Sequence, residues 1–443
     1  MKILFILPEY YPHSGGGIST YYLHYIKALK PYCERIKVIV GSGYLNKDER
    51  FDFDGIEVEY LNPALFKTFA GKFTKHNIAP EFKQNLAAAW AMYEQSNGGE
   101  GFDIVECTEF GFGFVPWVIE HPKPVITRLH GSSGQIAFYE TYKTSSIAED
   151  FIKQAELLLL PHCDRLLTHS LANLEFWNGQ FGKKMVSIIP PVFEPAKSAP
   201  VPFSQRCDFG LVTARIQQWK GPVEVCGAVS KLSATERPVI KWFGRDMPYS
   251  DTESTAQFLK KNFQGVWNTS ILPQKPIENA KIIKIQQNAK FGLVPSTWDM
   301  FNFTLIEFMA AGTPVICADG AGSSWLIEHG RNGLKYPATD ESALAECIMQ
   351  LNKMDERAYM QMAMAGMETV TRELSGNKII PQNLEHYQSI ITNFKRQGVD
   401  VYTSGVYCPD EKNYTIESVL DKQPLKLLLN YSMQRLKASL WKR

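Results

Sequence analysis

The chain has 443 residues, about three times the ~150 residues of a typical domain, which predicts two or three domains with sizeable cores. Hydrophobic residues make up 44% and charged residues 21%, a composition that excludes wholesale disorder and a collagen-like fibre. The net charge of +1 excludes a protein whose overall charge binds nucleic acid, and we expect no nucleic-acid partner.

The eight cysteines form no Cys-x-x-Cys pair and no cluster with zinc-ligand spacing. We therefore expect them to be small buried hydrophobic residues in a protein of a reducing compartment, the cytoplasm. The apolar run at the N-terminus stops at Pro8, which argues against a signal peptide. No segment approaches the ~20 apolar residues of a membrane span.

Short apolar runs alternate with helical segments along the first half of the chain. The predicted strands are 2–7, 35–40, 103–107, 124–130, 165–170 and 186–190. After the first of them, Ile18, Tyr22, Ile26 and Leu29 recur at helical spacing. Such alternation predicts βαβ units and a parallel sheet that is covered on both faces.

A proline-rich stretch at 193–206 interrupts this alternation, and we interpret it as an interdomain linker. The alternation then restarts with predicted strands at 209–214, 238–244, 269–273, 289–296 and 314–319. We therefore predict an α/β protein with two Rossmann-like, doubly wound domains that face each other across a cleft. The predicted domains are 1–195 and 205–383, followed by a return helix and a basic tail in 384–443. Ligands of such sheets bind beyond the carboxyl ends of the strands.

The first strand leads into the sequence SGGGIST, in which Gly16 and Gly17 precede a helix that opens at Ile18. Unobstructed backbone N–H groups at a helix start suit a phosphate. The dinucleotide-binding fingerprint is not met, because Thr20 stands where its third glycine should be. A plain tight turn is the alternative.

The segment 295–316 begins at the end of a predicted strand and crosses a loop that holds Asp299. It then becomes a helix that should start near Phe303 and end at Ala311, before a Gly and a Pro that stop it. Glu307 follows Thr304 at capping-box spacing, so it could simply cap the helix. Asp299 could equally be a solvated loop carboxylate.

Over most of residues 1–395 the chain resembles the retaining glycosyltransferases of the GT-B fold, specifically the family 4 (group 1) type. The family's Glu-x7-Glu element before Ala-x-Gly-x-Pro-Val-Ile is matched by Asp299 and Glu307 followed by AAGTPVI. The further matches are Gly16-Gly17-Ile18, His130 in RLHG, and Arg215 and Lys220 in VTARIQQWKG. The chain departs from the family at Asp299, which replaces a Glu, and at Asn302, where many members have Gly.

The resemblance implies a role for each matched residue. Arg215 and Lys220 would bind the donor diphosphate, where negative charge develops as the sugar leaves. Asp299 and His130 would contact the donor sugar, and Glu307 the ribose hydroxyls. The expected catalytic residues are thus Asp299, His130, Arg215 and Lys220. Donor binding would add Gly16, Gly17, Glu307 and the helix start, which comprises Met300, Phe301, Asn302, Phe303 and Thr304. Without the resemblance, two solvated cations and a structural histidine are the alternatives.

The resemblance also implies the reaction: a metal-independent, cofactor-free hexosyltransferase that retains anomeric configuration. The donor would be a nucleoside-diphosphate sugar and the acceptor a glycan or lipid-linked molecule, in surface polysaccharide or glycoconjugate synthesis. Retention in this family is explained by front-face attack in which the leaving diphosphate helps to deprotonate the acceptor. A GT-B nucleotide-sugar epimerase and an inactive glycan- or nucleotide-binding scaffold are the alternatives.

Two acidic motifs lie outside these matches. Glu106 and Glu109 follow a first-domain strand, on the side where the acceptor should bind, and ordinary loop residues are the alternative. Asp52 and Asp54 form a DxD pattern, which unrelated transferases use to hold a divalent metal. Because it directly precedes the strand-like IEVEY, we interpret it as a polar turn and expect no metal site.

The tail from Lys422 to Arg443 contains four Lys and two Arg and no acidic residue, so its charge is +6 and that of the rest is −5. Its apolar residues have mostly helical spacing: Leu425, Leu428, Leu429, Leu436, Leu440 and Trp441. This pattern predicts a basic amphipathic helix that contacts the inner face of a membrane. Packing of its apolar stripe on the protein's own surface is the alternative.

Overall fold

The computed structural model describes residues 1–12, 16–41, 49–139, 146–194, 199–250, 252–410 and 420–440. Within these ranges the chain forms two consecutive α/β domains, each built around a mostly or wholly parallel sheet. The two doubly wound domains predicted from the sequence are therefore confirmed.

The first domain contains the larger sheet. Its strands are β1 (Lys2–Leu7), β2 (Arg35–Val40), β3 (Arg50–Phe53), β4 (Ile56–Tyr60), β5 (Ile104–Thr108), β6 (Val125–Leu129), β7 (Arg165–Thr168) and β8 (Val186–Ile188). Its helices are α1 (Gly17–Leu29), α2 (Pro63–Lys72), α3 (Pro80–Gln95), α4 (Val115–Glu120), α5 (Ser133–Tyr139), α6 (Ile147–Leu159) and α7 (Leu171–Phe181). The strands lie in the order β3-β4-β2-β1-β5-β6-β7-β8, so the direction of winding reverses between β1 and β5.

The second domain repeats the plan on a smaller scale. Its strands are β9 (Cys207–Thr213), β10 (Ile240–Phe243), β11 (Ile271–Gln274), β12 (Ala289–Val294), β13 (Val315–Ala318) and β14 (Leu334–Tyr336). Its helices are α8 (Pro222–Lys231), α9 (Thr255–Asn262), α10 (Asn279–Asn288), α11 (Phe303–Ala310), α12 (Glu341–Asn352) and α13 (Glu356–Leu374). The order β11-β10-β9-β12-β13-β14 places the second reversal between β9 and β12.

The first sheet differs from the prediction at one edge. β3 pairs with β4 in antiparallel orientation, because the chain reverses within two residues at Asp54 and Gly55. Both have positive φ, +53° and +73°, as a two-residue hairpin turn requires. Asp52 accepts a 2.7 Å hydrogen bond from the Gly55 N–H. The DxD pattern therefore forms the polar turn that the sequence predicts.

Burial of the cysteines is incomplete. Five are buried, but Cys33 and Cys408 are partly exposed and Cys207 is exposed at the start of β9. The expectation that all eight are buried was therefore wrong, since strand β9 begins outside the core.

Three helices follow the second domain: α14 (Gly376–Asn393), α15 (Val401–Tyr407) and α16 (Leu425–Leu440). α14 returns to the first domain, as expected, and α15 packs on it through Tyr407. The described side chains of α16 are almost all exposed, so the structure does not show its apolar stripe packed on the protein. Trp441 and the rest of 441–443 lie outside the described residues.

A buried ion pair lies where α14 meets the first sheet. Glu106 of β5 accepts hydrogen bonds from Arg128 Nε at 2.7 Å and Nη2 at 3.1 Å, and both side chains are fully buried. Tyr22 donates to the same carboxylate at 3.0 Å, and so does Tyr387 of α14. Arg128 also donates to Asn383 of α14 at 2.8 Å. The carboxylate is therefore compensated by groups from β6, α1 and α14.

Replacing Arg128 by Met should destabilise the protein by about 3–5 kcal/mol, because it leaves the Glu106 carboxylate buried without its counter-charge. The double variant Glu106→Gln/Arg128→Met should lose less free energy of unfolding than Arg128→Met alone. Urea denaturation measures both. Arg35→Met is the matched control, since its partner Glu57 and Arg35 itself are half exposed, and such pairs contribute about 0–1 kcal/mol. Equal losses in Arg128→Met and Arg35→Met would contradict this account.

Candidate active site

The predicted site residues follow the strands on either side of the two reversals. Arg215 and Lys220 come after β9, and Asp299 comes after its neighbour β12. In the first domain Gly16 follows β1, and Glu109 follows the neighbouring β5. Crevices at such reversals are where open α/β sheets bind ligands. The topology therefore brings four separated sequence segments to two facing sheet edges.

Backbone contacts fix the loop that carries Asp299. The Asp299 N–H donates to Gly320 O, and the Gly322 N–H donates to Asp299 O, both at 3.0 Å. On the other side Gly221, with φ +74°, lies so close to the loop that a Cβ would be 1.9 Å from Pro295 O. Only glycine fits this approach. The position of Asp299 is therefore set by packed backbone.

Asp299 pairs with Lys220, whose ammonium donates to its Oδ2. Both side chains are only 12–13% exposed, and burial lowers the pKa of Lys220. The ammonium also lies 4.2 Å from the ring centre of Trp219, and the exposed Arg215 lies 5.5 Å from it. Trp219 thus holds two cations near one carboxylate, and an anionic ligand would compete with Asp299 for Lys220.

Glu307 faces the interior beside this loop. It accepts a 2.9 Å hydrogen bond from Gln286, and burial raises its pKa. Thr304 donates to Thr213 O. Asn302 is the N-cap residue of α11, but its side chain donates to Ser296 Oγ at 3.1 Å and makes no hydrogen bond to the helix. The capping box therefore does not form, and the Glu307 carboxyl group is held by a side chain of another helix. α11 starts at Phe303, as the sequence predicts.

The loop between β12 and α11 contacts the first domain through its side chains. Met300, Phe301 and Phe303 are all less than 9% exposed. A Cβ at Gly131 would lie 2.8 Å from Met300 Cγ, and His169 contacts Phe301 edge-on at 5.1 Å. Their apolar side chains thus pack between the domains. Only the backbone groups of these residues could hydrogen-bond a polar donor molecule.

Two aromatic rings stack across the cleft. Tyr139 of α5 and Trp298 of the same loop have ring centres 3.8 Å apart and planes tilted by 13°. Trp298 also meets the edge of Trp219 at 5.3 Å. The chain from Tyr139 through Trp298 to Trp219 links the first domain to the two cations.

His130 lies among aromatic rings at the end of β6. Its ring contacts Tyr21 at 4.8 Å, Tyr22 at 5.4 Å and His169 at 4.8 Å. Burial, together with His169 and Arg128, holds the pKa of His130 well below its ordinary value, so the ring is neutral. Among the described residues its buried Nε2 has no hydrogen-bond partner. The ring can therefore offer one nitrogen to a ligand.

Glu109 holds the backbone beneath His130. Its Oε1 accepts the N–H groups of His130 at 2.7 Å and Gly131 at 2.6 Å. Burial raises the pKa of Glu109 to about 7. Burial also raises the pKa of the nearby Glu156 to about 8, with Glu109 as a further cause. Two carboxyl groups that both favour protonation thus lie under the cleft.

Glu106 and Glu109 occupy different surroundings, although both were expected to contact the acceptor. Every oxygen of Glu106 is engaged in the buried ion pair, which favours a structural role. Glu109 lies under the His130 loop and stays a candidate.

The glycine turn before α1 contains a carboxylate that the sequence analysis missed. Glu9 Oε1 accepts the Ser19 N–H at 3.2 Å, and a Cβ on Gly16 would lie 2.2 Å from the same oxygen. Among the described residues beyond its own helix turn, none has an atom within 4 Å of a Cβ built on Gly17. The N–H groups at the helix start favour an anion, and Glu9 supplies one. Ser14 and Gly15 lie outside the described residues.

The aromatic residues at the cleft were also missed: Trp219, Trp298, Tyr139 and His169. A signal was present for the first two, because each follows a predicted strand and directly adjoins a predicted site residue. Among the described residues, no group of three His, Cys, Asp or Glu side chains could hold a metal ion.

Known proteins share both the fold and part of the sequence. Residues 211–353 match the family described as Glycosyl transferases group 1. A 185-residue stretch is 29% identical to alpha-maltose-1-phosphate synthase of Mycolicibacterium smegmatis; it covers 40% of this chain and 46% of that protein, so the match spans about half of this relative.

Solved structures match over greater lengths. Sucrose-phosphate synthase from Thermosynechococcus elongatus has a TM-score of 0.65 at 16% identity, over 89% of this chain and all of that one. Anabaena Alr3699/HepE in complex with UDP-glucose has a TM-score of 0.61 at 16% identity, over 88% of this chain and all of that one. These structures are GT-B glycosyltransferases, so the GT-B fold is confirmed.

Glu156→Gln should make stability less dependent on pH. The folded-state pKa of Glu156, about 8, lies above its ordinary 4.5, so the folded protein binds an extra proton between these values. Wild-type stability therefore falls as pH rises through this window, by about 1.4 kcal/mol per pKa unit at most. As pH rises from 5 to 8 (roughly this window), the melting temperature of Glu156→Gln should rise relative to that of wild type. The exposed Glu175→Gln is the control, and parallel curves for Glu156→Gln and wild type would contradict the assignment.

Proposed function

Because the chain has the GT-B fold and its second domain matches the group 1 glycosyl transferases, we propose that it is a retaining glycosyltransferase. It moves a hexose-type unit from a nucleoside-diphosphate sugar to a glycan or lipid-linked acceptor, in surface polysaccharide or glycoconjugate synthesis. The observation that carries this proposal is the pair of cations, Arg215 and Lys220, held by Trp219 opposite Asp299.

The donor diphosphate is proposed to bind these cations. Lys220 is a buried point charge, whereas the exposed guanidinium of Arg215 can form two parallel hydrogen bonds. When the diphosphate pairs with Lys220, it releases the Asp299 carboxylate toward the sugar. The two cations then offset the charge that develops on the leaving group. A UDP-sugar is the first donor to test, because the similar Alr3699/HepE was crystallised with UDP-glucose.

The remaining contacts follow from the same placement of the donor. Glu307 would accept hydrogen bonds from the ribose, with Gln286 orienting its carboxyl group. Neutral His130 would offer its free nitrogen to a sugar hydroxyl. The backbone N–H groups at the start of α11, and those at Gly17, would meet the phosphates. Asp299 orients the sugar and is not a covalent nucleophile. The leaving diphosphate takes the proton of the acceptor hydroxyl.

Two other functions fit the same cleft. A nucleotide-sugar epimerase would use the donor site without an acceptor, and an inactive scaffold would bind the nucleotide without turnover. We favour transfer because the second domain matches transferases. The free cysteines suit a reducing compartment, and we propose that the protein acts in the cytoplasm, at the inner face of the membrane.

Mass spectrometry across a panel of nucleotide sugars should detect release of one nucleoside diphosphate, and Lys220→Gln should slow this release about 10²–10³-fold because one charge-stabilising donor is lost. Asp299→Asn should bind the free nucleoside diphosphate at least as tightly, since Lys220 is released, but should turn over at least tenfold more slowly. Lys231→Gln, a half-exposed lysine of α8, is the control.

Three results would overturn the proposal or part of it. If Lys220→Gln turned over at the wild-type rate, the proposed role of the cation pair would be wrong. An isomeric nucleotide sugar as the product would identify an epimerase, and nucleotide binding without turnover on any acceptor would identify a scaffold.

We further propose that the reaction needs no divalent metal. Turnover should stay within about twofold of its starting value in excess chelator, because the cation pair already offsets the diphosphate charge. Complete loss in chelator, restored by Mn²⁺ or Mg²⁺, would contradict this.

A further inference from the structure

The C-terminal helix α16 presents an apolar stripe to solvent. Leu425, Leu429, Met433 and Leu436 are 72%, 57%, 58% and 61% exposed. Their spacing of three or four residues places them on one face, together with the partly exposed Leu428. Single exposed apolar residues are ordinary on protein surfaces, but a continuous stripe marks an interaction surface.

Basic side chains border this stripe. At 100° per residue, Lys426 and Lys437 lie along one edge of the stripe and Arg435 along the other, while Asn430 and Gln434 lie opposite it. Residues 422–443 contain no acidic side chain. A helix with cations along an apolar face suits the boundary between lipid headgroups and acyl chains. A second copy of α16 would bring like charges together with no carboxylate to offset them.

The helix is also too short to cross a bilayer. Its 16 residues span about 24 Å, whereas the hydrocarbon core is about 30 Å thick. None of the described helices is long and apolar enough to form a membrane span. α16 would therefore lie in the plane of the surface.

The segment before α16 is fastened to the first domain. Lys75 donates to Gly405 O at 2.8 Å and Cys408 O at 3.0 Å, and it pairs with Asp410 at 2.9 Å. Trp90 of α3 donates to Tyr407 O at 2.8 Å. The chain up to Asp410 is thus held on the α2–α3 side of the first domain.

The same helix pair walls a cavity at the carboxyl ends of β1 and β2. The cavity has a volume of about 190 Å³, and its wall includes Phe66 of α2, Gln84 and Asn85 of α3, and Phe110. Amides beside aromatic rings suit a sugar or a polar headgroup. The fastened segment that ends at Asp410 therefore lies on the same helix pair as this cavity.

We propose that α16 binds an anionic membrane surface and holds the first domain beside a lipid-linked acceptor. The membrane contact stands on the exposed basic helix, whereas the acceptor class rests on the proposed transferase function.

Co-flotation of the full-length protein with vesicles tests the membrane contact. Vesicles of phosphatidylcholine and phosphatidylglycerol in equal parts should bind the protein, and vesicles of phosphatidylcholine alone should bind it much more weakly. Lys426→Gln/Lys437→Gln should weaken binding about thirtyfold, since each charge near an anionic surface contributes a factor of about five. Leu429→Gln/Leu436→Gln should weaken it at least tenfold.

The matched control is Leu427→Gln, because Leu427 is 54% exposed but lies across the helix from the stripe. It should be compared with the single variant Leu429→Gln. All these positions are exposed, so the variants should keep wild-type melting temperatures. Equal vesicle binding by Leu427→Gln and Leu429→Gln, or no preference for anionic vesicles, would overturn the membrane contact. Self-association through α16 without vesicle binding, seen by light scattering, would overturn it as well.

A second readout tests the acceptor class. Leu429→Gln/Leu436→Gln should release nucleoside diphosphate from the donor in solution at the wild-type rate but transfer sugar to vesicle-embedded lipid extract at least tenfold more slowly. Donor turnover by wild type without transfer to the embedded lipids would overturn the acceptor class, and unchanged transfer by the variant would overturn the role of α16 in presenting the acceptor. Absence of donor turnover in wild type, with vesicle binding intact, would overturn the proposed function and leave the membrane contact standing.

Discussion

The buried ion pair of Glu106 and Arg128 connects the first domain to the return helix α14. Burying two charges is costly unless each is hydrogen-bonded, and here the compensating groups come from α1, β6 and the return helix α14. The first domain therefore cannot satisfy its own interior without a helix that follows the second domain in sequence. Glu106 lies three residues before Glu109, and Arg128 two before His130. The same pair thus fixes the strand ends from which the cleft residues extend.

Two carboxylates of the protein already compensate positively charged groups in the cleft. Asp299 neutralises Lys220, and Glu9 occupies the start of α1. Each carboxylate stands where the resemblance expects a donor phosphate to approach. If the proposed function holds, a nucleotide sugar would exchange one set of ion pairs for another as it binds. Such an exchange would give modest affinity, and it would favour ligands that carry charge at both places, as a diphosphate does.

Most strand positions and the start of α11 were predictable, because apolar runs and helix signals are local in the sequence. The short β14 was not among the predicted strands. β1 and β2 match the predicted ranges, and Arg215 and His130 follow the ends of β9 and β6. The partners of those residues were not predictable. Nothing near Glu307 in sequence indicates Gln286, and Tyr139 lies 159 positions from Trp298, with which it stacks. The antiparallel β3 was missed because Asp52 to Gly55 showed a turn without showing which strand would pair.

The chain passes between its domains twice, once between β8 and β9 and once along α14 and its exit toward α15. Two connections constrain relative motion far more than one. A body attached at two points keeps one easy rotation, about the line that joins them, whereas twisting and translation strain one connection or the other. Opening of the cleft would therefore follow a single hinge coordinate, and the rings of Tyr139 and Trp298, which stack across the cleft, would separate as that coordinate advances.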